Sequence, residues 1–363
     1  MEFNFEDILL QKKDKRKVYH RRTNTEKTAI PWGQRKLLLS EITFLTLYLD
    51  LEKIPNPKIV YAGAAPGKHF SKLSEMFPEC EFFLWDPANF HLKETDKIHI
   101  FQEYFTNKTA KKWENRDDVY FISDIRTGDY TTAPNPVENE KNIMKDMYMQ
   151  QEWHEIIKPI KSLLKFRLPY SGLGLDSHMK YLDGVVYKQQ WAPQTSTETR
   201  LVPHTPIIYK EWDSIEYEEQ LFHFNTEIRE HDRFRNIFDP KNPNKAINEE
   251  LSNEYDSMAE VYILSRYLLF SGKEPTKELV VNLSQSITDS INMGKSFSDT
   301  LAKLRIDRKR IKTRNDKNHK KRTKSKKLPK NGKNGENCKN GENGKVYNKH
   351  GKLKRKFIFT HEK

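Results

Sequence analysis

The turn Gly63-Ala64-Ala65-Pro66-Gly67 lies between an apolar segment, Lys58–Tyr61, and a helical pattern that starts at Lys68. Asp86 closes the next apolar segment, 19 residues beyond Gly67. In doubly wound α/β folds the first strand-to-helix turn lets backbone approach a ligand. A carboxylate ending the next strand then holds a pair of ribose hydroxyls. This turn is not Gly-x-Gly-x-x-Gly. Its proline and missing glycines fit a cofactor without a pyrophosphate, and S-adenosylmethionine is such a cofactor. The competing reading is an ordinary glycine-rich connection.

Four ionisable residues stand at positions where chemistry could follow. Asp124 ends the segment Phe121-Ile122-Ser123, and ligands in open α/β sheets gather beyond strand carboxyl ends. Lys165 interrupts Leu163-Leu164-Lys165-Phe166, where a charge is costly to bury. Glu198 lies in Thr197-Glu198-Thr199-Arg200, and Lys36 opens an amphipathic helical pattern. Taken singly, each has a plain explanation: a turn Asp, a snorkelling or edge-strand Lys, an exposed strand Glu, a surface Lys.

The elements that would position them alternate. Strands are expected at Lys58–Tyr61, Glu81–Trp85, Lys97–Phe101, Val119–Ser123, Ser162–Arg167, Gly184–Lys188 and Glu198–Tyr209. Helices are expected at Lys36–Leu49, Lys68–Met76, Glu138–Ile157, Glu216–Arg229, Tyr255–Phe270 and Thr276–Asn292. This alternation argues for a parallel-rich α/β sheet with flanking helices.

The formal net charge of +13 is unevenly spread: from residue 305 onward 23 Lys and Arg face 5 Asp and Glu, so the body is slightly acidic. The chain divides into a basic N-terminal arm (1–30), a body (31–304) and a Lys/Asn/Gly-rich tail (305–363) expected to be disordered. Two cysteines, Cys80 and Cys338, exclude a disulfide framework or zinc site. Met1–Leu10 lacks a signal-peptide pattern, and no apolar run reaches transmembrane length. These features point to a cytoplasmic protein with no membrane partner.

Five segments in order resemble the poxvirus cap-specific mRNA 2′-O-methyltransferase and poly(A) polymerase small-subunit family. They are Gly33-Gln34-x-Lys36-Leu37-Leu38-Leu39-x-Glu41, Val60-Tyr61-x-Gly63-x-Ala65-Pro66-Gly67-x-His69, Ile122-Ser123-Asp124-x-Arg126, Leu164-Lys165-x-Arg167-x-Pro169, and Ala192-Pro193-x-x-Ser196-x-Glu198-x-Arg200-Leu201. The resemblance runs from about Gly33 to Asn225. It implies a Rossmann-like methyltransferase fold, S-adenosylmethionine as cofactor, no required metal, and a Lys36-Asp124-Lys165-Glu198 tetrad. The implied reaction is in-line methyl transfer to a ribose 2′-hydroxyl, in host cytoplasm or a virion. In that reading Lys165 withdraws the proton, Lys36 disfavours its charging, and the carboxylates orient both lysines.

The resemblance places the cofactor against Gln34, Tyr61, Gly63, Ala65, Gly67, His69, Asp86 and Asp124, with Phe105 toward the adenine. Ala88 stands where the family has an arginine. For an N7-methylguanine cap it implies aromatic faces from Tyr170 and Tyr19 and a carboxylate from Glu218. Thr195 and Gly172 depart from the family's Tyr and Asp. Arg167, Arg200 and the N-terminal cluster are candidate phosphate contacts. The implied partners are capped mRNA and a poly(A) polymerase catalytic subunit. Two alternatives stay open: a 2′-O-methyltransferase of internal or ribosomal RNA, and a mainly stimulatory polymerase subunit.

Overall fold

The computed structural model describes residues 1–20, 22, 32–128 and 135–292. The tail read at 305–363 lies outside them. In chain order the elements are β1 (Leu9–Leu10), α1 (Gly33–Tyr48), β2 (Lys58–Ala62), α2 (Phe70–Met76), β3 (Glu81–Trp85), β4 (Ile98–Phe101), α3 (Asn107–Lys111), β5 (Val119–Ser123), α4 (Pro136–Ile157), β6 (Ser162–Phe166), β7 (His178–Leu182), β8 (Gly184–Tyr187), β9 (Thr199–Pro203), β10 (Tyr209–Asp213), α5 (Ser214–His223), a π turn (Phe224–Ile228) leading into α6 (Arg229–His231), α7 (Tyr255–Phe270) and α8 (Lys277–Asn292).

Eight strands form one sheet in the order β1-β8-β9-β6-β5-β2-β3-β4, and β10 pairs with β7 in a separate two-stranded sheet. Strands β4, β3, β2, β5 and β6 are mutually parallel. The other side is antiparallel, through β9, β8 and β1. This is a Rossmann-like α/β sheet. From β2 the chain proceeds one way to β3 and β4, then crosses to β5 on the other flank of β2. A ligand crevice forms at that reversal, beyond the strand carboxyl ends.

Local sequence accounts for these elements. All five residues of β5 are buried, as expected of a strand covered on both faces. Leu38, Leu39, Ile42 and Leu45 recur at helical spacing and are the buried stripe of α1. The Asn135 side chain accepts from Glu138 N, and Pro136 occupies the first turn, so α4 starts where its orphan donors are satisfied. Helices α1, α2, α7 and α8 pack on one another, while α3 packs on α4.

The structure departs from the sequence reading in three places. The expected strand Glu198–Tyr209 is two strands in different sheets, because Pro203 and Pro206 cannot donate to a ladder. The short β7 and α3 carry too little periodicity to be read and were not expected. The first ten residues do not stand apart as an arm: Phe3 and Ile8 are buried, and Leu9–Leu10 pair with Tyr187 and Val186 as the edge of the sheet.

Candidate active site

Strand register brings the four ionisable residues together. Ser123 on β5 faces Leu164 on β6, so the next residues, Asp124 and Lys165, lie side by side. Lys165 faces Arg200 on β9. Glu198 immediately precedes β9, and Lys36 lies in the first turn of α1. Lys165 Nζ is 3.1 Å from Asp124 Oδ1 and 3.7 Å from Glu198 Oε2. Lys36 Nζ donates to Glu198 Oε1. Arg200 Nη2 donates to Asp124 Oδ1 at 2.8 Å and is 3.6 Å from Glu198 Oε1. Arg126, mostly exposed, reaches within 3.8 Å of Glu198.

Three largely buried cations therefore share two carboxylates, one positive charge in excess. Burial alone would raise the carboxyl groups. The Arg200 guanidinium and Lys165 ammonium instead hold Asp124 below its ordinary value. Lys165, Lys36 and Arg200 hold Glu198 well below its own. Lys36 is pushed down, by burial first and by the nearby Arg200 charge, against the opposing pull of Glu198. A lysine in this setting holds its proton less tightly than one in water.

The glycine-rich turn joins this cluster at the crevice. Gly63 has φ +86°, and a Cβ there would come within 2.7 to 2.9 Å of Ile125 N and of Asp124 backbone atoms. Only glycine lets the end of β2 lie that close to the end of β5. Gly63 N and Ala64 N both donate to Trp85 O, and Gly67 turns the chain with φ +72°. Asp86 accepts from Ala65 N at 3.2 Å and from Ala88 N at 2.8 Å. Each carboxylate oxygen keeps a further lone pair for a hydroxyl. The close backbone cradle and the carboxylate opposite it fit a nucleoside cofactor with an intact ribose.

Several residues expected at the cofactor lie one layer behind it. The Tyr61 ring is fully buried, and its hydroxyl donates to Glu41 Oε1 at 2.8 Å. The His69 ring nitrogens lie 3.1 Å from Glu41 Oε1 and 3.3 Å from Gln34 Oε1. Gln34, His69, Glu41 and Tyr61 thus form one network that ties α1 to the turn. Phe105 corrects an expectation. Its ring packs among Trp85, Phe121 and Trp153 at centroid distances of 5.4, 5.7 and 4.9 Å, so it presents no free face to an adenine.

Two adjoining cavities open beside the tetrad. The first, about 300 Å³, is lined by Lys165, Glu198, Arg126, Arg167, Tyr170 and Asp146, among others. The second, about 540 Å³, brings together Tyr19, Arg22, Tyr170, Glu218 and Phe222. Tyr170 and Thr197 line both. Glu218 Oε2 accepts from Ser171 N at 3.0 Å and Ser171 Oγ at 2.7 Å, which aims the carboxylate. Tyr19 stands edge-on to Phe222 at 5.2 Å.

Several of the basic residues expected to hold phosphate are engaged with other side chains. Arg200 is 1% exposed and belongs to the tetrad, because its place in β9 turns it under the sheet's end. Arg167 pairs with Glu140 at 2.9 and 3.1 Å, and its guanidinium lies 4.1 Å from the Tyr170 ring centroid. It supports that ring. In the N-terminal cluster Arg16 pairs with Glu219, Lys17 with Glu227 and Arg22 with Glu230. Sequence reasoning missed Ser171, Glu140 and Phe222. Only Glu140 had a signal, a carboxylate in the first turns of a helix otherwise expected to be plain. Among the described residues no group of three or more His, Cys, Asp or Glu could hold a metal ion.

A family model described as "Poly A polymerase regulatory subunit" matches residues 3–293. A cap-specific mRNA (nucleoside-2′-O-)-methyltransferase of Fowlpox virus (strain NVSL) is 30% identical over 281 residues, which is 72% of this chain and 85% of that protein. Proteins of the same name from Myxoma virus strains Lausanne and Uriarra are each 29% identical over 213 residues. There the match spans 54% of this chain and 61% of theirs. Among solved structures, that of bluetongue virus VP4, titled as a multifunctional RNA-capping production line, aligns over 58% of this chain and 34% of its own. It does so with a TM-score of 0.41 and 12% identity.

Proposed function

Because the chain belongs to the poly(A) polymerase regulatory subunit family, we propose that it is a methyltransferase acting on the ribose 2′-hydroxyl of the cap-proximal nucleotide of N7-methylguanosine-capped mRNA. The methyl donor is S-adenosylmethionine, which supplies an activated methyl group on a sulfonium. The observation that carries this reading is the Lys36-Asp124-Lys165-Glu198 cluster, set between the Gly63–Gly67 turn and an aromatic-walled cavity.

Lys165 is the tetrad lysine that lines the cleft. In its unprotonated form it takes the proton of the incoming 2′-hydroxyl as the oxygen gains its methyl group. Asp124, 3.1 Å away, holds the amine in line. Lys36, fixed on Glu198, steers the ribose oxygen. Asp124 also sits next to the turn, where its charge suits a sulfonium. Asp86 and the backbone of Gly63, Ala65 and Gly67 hold the nucleoside. Positioning of this kind is a large share of catalysis for such reactions.

In the second cavity, Tyr170 and Tyr19 supply aromatic faces for a flat cationic base, and Glu218 accepts from its edge. This cavity favours a capped 5′ end over internal or ribosomal RNA. The similarity to poxvirus proteins favours the cytoplasm as the place of the reaction. The family's description favours a second role, contact with a poly(A) polymerase catalytic subunit, which co-purification with that subunit would test.

The direct test measures labelled methyl transfer to a short N7-methylguanosine-capped RNA and to its uncapped twin. Wild type should modify the capped RNA alone, and Lys165→Ala should abolish transfer while the fold is retained. Equal transfer to both RNAs would refute the cap reading. Full activity in Lys165→Ala would refute the tetrad.

A further inference from the structure

Behind the tetrad lies a second set of buried charges that the chemistry does not use. Arg35 and Glu260 are both fully buried. Arg35 Nε donates to Glu260 Oε2 at 2.7 Å, and Nη2 donates to Glu260 Oε1. Arg35 also donates to Thr288 Oγ1 at 2.8 Å and Ser284 Oγ at 2.7 Å on α8. Trp191 Nε1 donates to the same Glu260 Oε2 at 2.9 Å. The Trp191 carbonyl accepts from Trp32 N at 2.7 Å, immediately ahead of α1.

The placement of these residues connects them to the reaction centre. Arg35 lies between Gln34 and Lys36 in the first turn of α1. Trp191 lies in the segment between β8 and Glu198 and is held at φ +56°, a conformation unusual for a bulky side chain. One carboxylate on α7 therefore ties together the two stretches of chain that carry Lys36 and Glu198. One turn earlier on α7, Asp256 repeats the device. It pairs with Arg229 at 3.0 and 2.7 Å, and Arg229 donates to Ala192 O at 2.9 Å. Arg229 also donates to Asn225 Oδ1, and Asn225 donates to Ser196 O, both at 2.9 Å.

We propose that Arg35, Glu260 and Trp191 are positioning residues that set the Lys36–Glu198 pair, an inference that rests on the tetrad being the reaction centre. A buried ion pair is a weak source of net stability compared with apolar packing of the same volume. Its bidentate fork does fix direction. The α1 turn and the Glu198 segment are 162 residues apart in the sequence, and packing alone would let them slide relative to each other. A displacement of about 1 Å at a reacting group lowers turnover on the order of 100-fold.

The test compares steady-state methyl transfer to capped RNA and thermal unfolding for wild type, Trp191→Phe, the double variant Arg35→Met/Glu260→Met, and Lys165→Ala. The double variant removes both charges together and so leaves neither one buried alone. Trp191→Phe deletes the indole donor and keeps an aromatic ring. Both should fold, keep the wild-type KM for capped RNA, and lose kcat, on the order of 10- to 100-fold for the double variant and less for Trp191→Phe. Wild-type kcat in a folded double variant would overturn the proposal. So would a kcat loss that matches the loss of folded protein. If the double variant does not fold, Trp191→Phe decides by the same criteria. Equal transfer by wild type and Lys165→Ala would instead overturn the tetrad reading, and the positioning role with it.

Discussion

Replacing Arg200 by Met offers the sharpest test of the electrostatics. The side chain is 1% exposed, and it donates to Asp124 at 2.8 Å while lying 3.6 Å from Glu198. Methionine fills a similar volume but leaves the two carboxylates with the lysines alone. Breaking a buried pair from one side costs about 3–5 kcal/mol. For a body of this size, at about 2 °C per kcal/mol, Tm should fall by roughly 6–10 °C near pH 7.5. The pH dependence carries the sign. Asp124 and Glu198 are depressed in the native protein, so their stabilisation is present above the unfolded-state carboxyl values and is lost as pH falls through the depressed native ones. Without Arg200 the native values rise, and the carboxylates protonate at higher pH. The Tm gap between wild type and variant should therefore narrow as pH falls from about 5 to about 3, through the ordinary carboxyl values and below them. Thermal melts followed by near-ultraviolet circular dichroism would show it. A gap of constant size across that range would mean that Arg200 acts through packing and that the charge argument is wrong.

Gly63→Ala should fold poorly or lose cofactor affinity, because both the positive φ and the approach within 2.7 Å of Ile125 N oppose a side chain; calorimetric titration with S-adenosylhomocysteine checks this. Tyr170→Ala should weaken N7-methylguanosine-triphosphate binding by about 1–3 kcal/mol, the usual value of one base–aromatic stack, with little change in cofactor affinity. Fluorescence titrations with the two ligands would separate these effects. Truncation after residue 304 should keep methyl transfer and lower RNA affinity, with a shallower dependence on salt. Equal affinities for truncated and full-length chains across salt concentrations would count against an RNA-binding tail.

Much of the sheet was legible because its strands are continuous apolar runs ended by charged or turn residues. Val119–Ser123 and Glu81–Trp85 stand as read, and so does the helix Tyr255–Phe270. Side-chain direction was harder to read. Arg200 and Arg167 lie in strand-like segments where an outward and an inward arginine look alike. Only the β5–β6–β9 register reveals that Arg200 joins the tetrad. The basic N-terminal cluster looked like a phosphate grip because its acidic partners, Glu219, Glu227 and Glu230, are some 200 residues away in the sequence. The Gly63–Gly67 turn and Asp86 were readable for the opposite reason: their geometry is local, and few residues satisfy it.

That separation bears on how the molecule is made. Lys17 meets Glu227, Arg22 meets Glu230, and the Tyr255 hydroxyl donates to the Asp7 carbonyl across 248 residues. Asp7, Lys17 and Arg22 must wait for Tyr255, Glu227 and Glu230 before they can dock. At about 5–20 residues per second, that wait is roughly 10–40 s of translation. Contacts of such sequence span are the slow ones in folding. The parallel strands β2 to β6 can assemble as they emerge, whereas the wall of the aromatic cavity bearing Tyr19 closes only after α5 and α6 have left the ribosome. The cavity for the RNA end thus matures after the parallel sheet, and a nascent chain stalled before residue 230 would hold the glycine-rich turn without it.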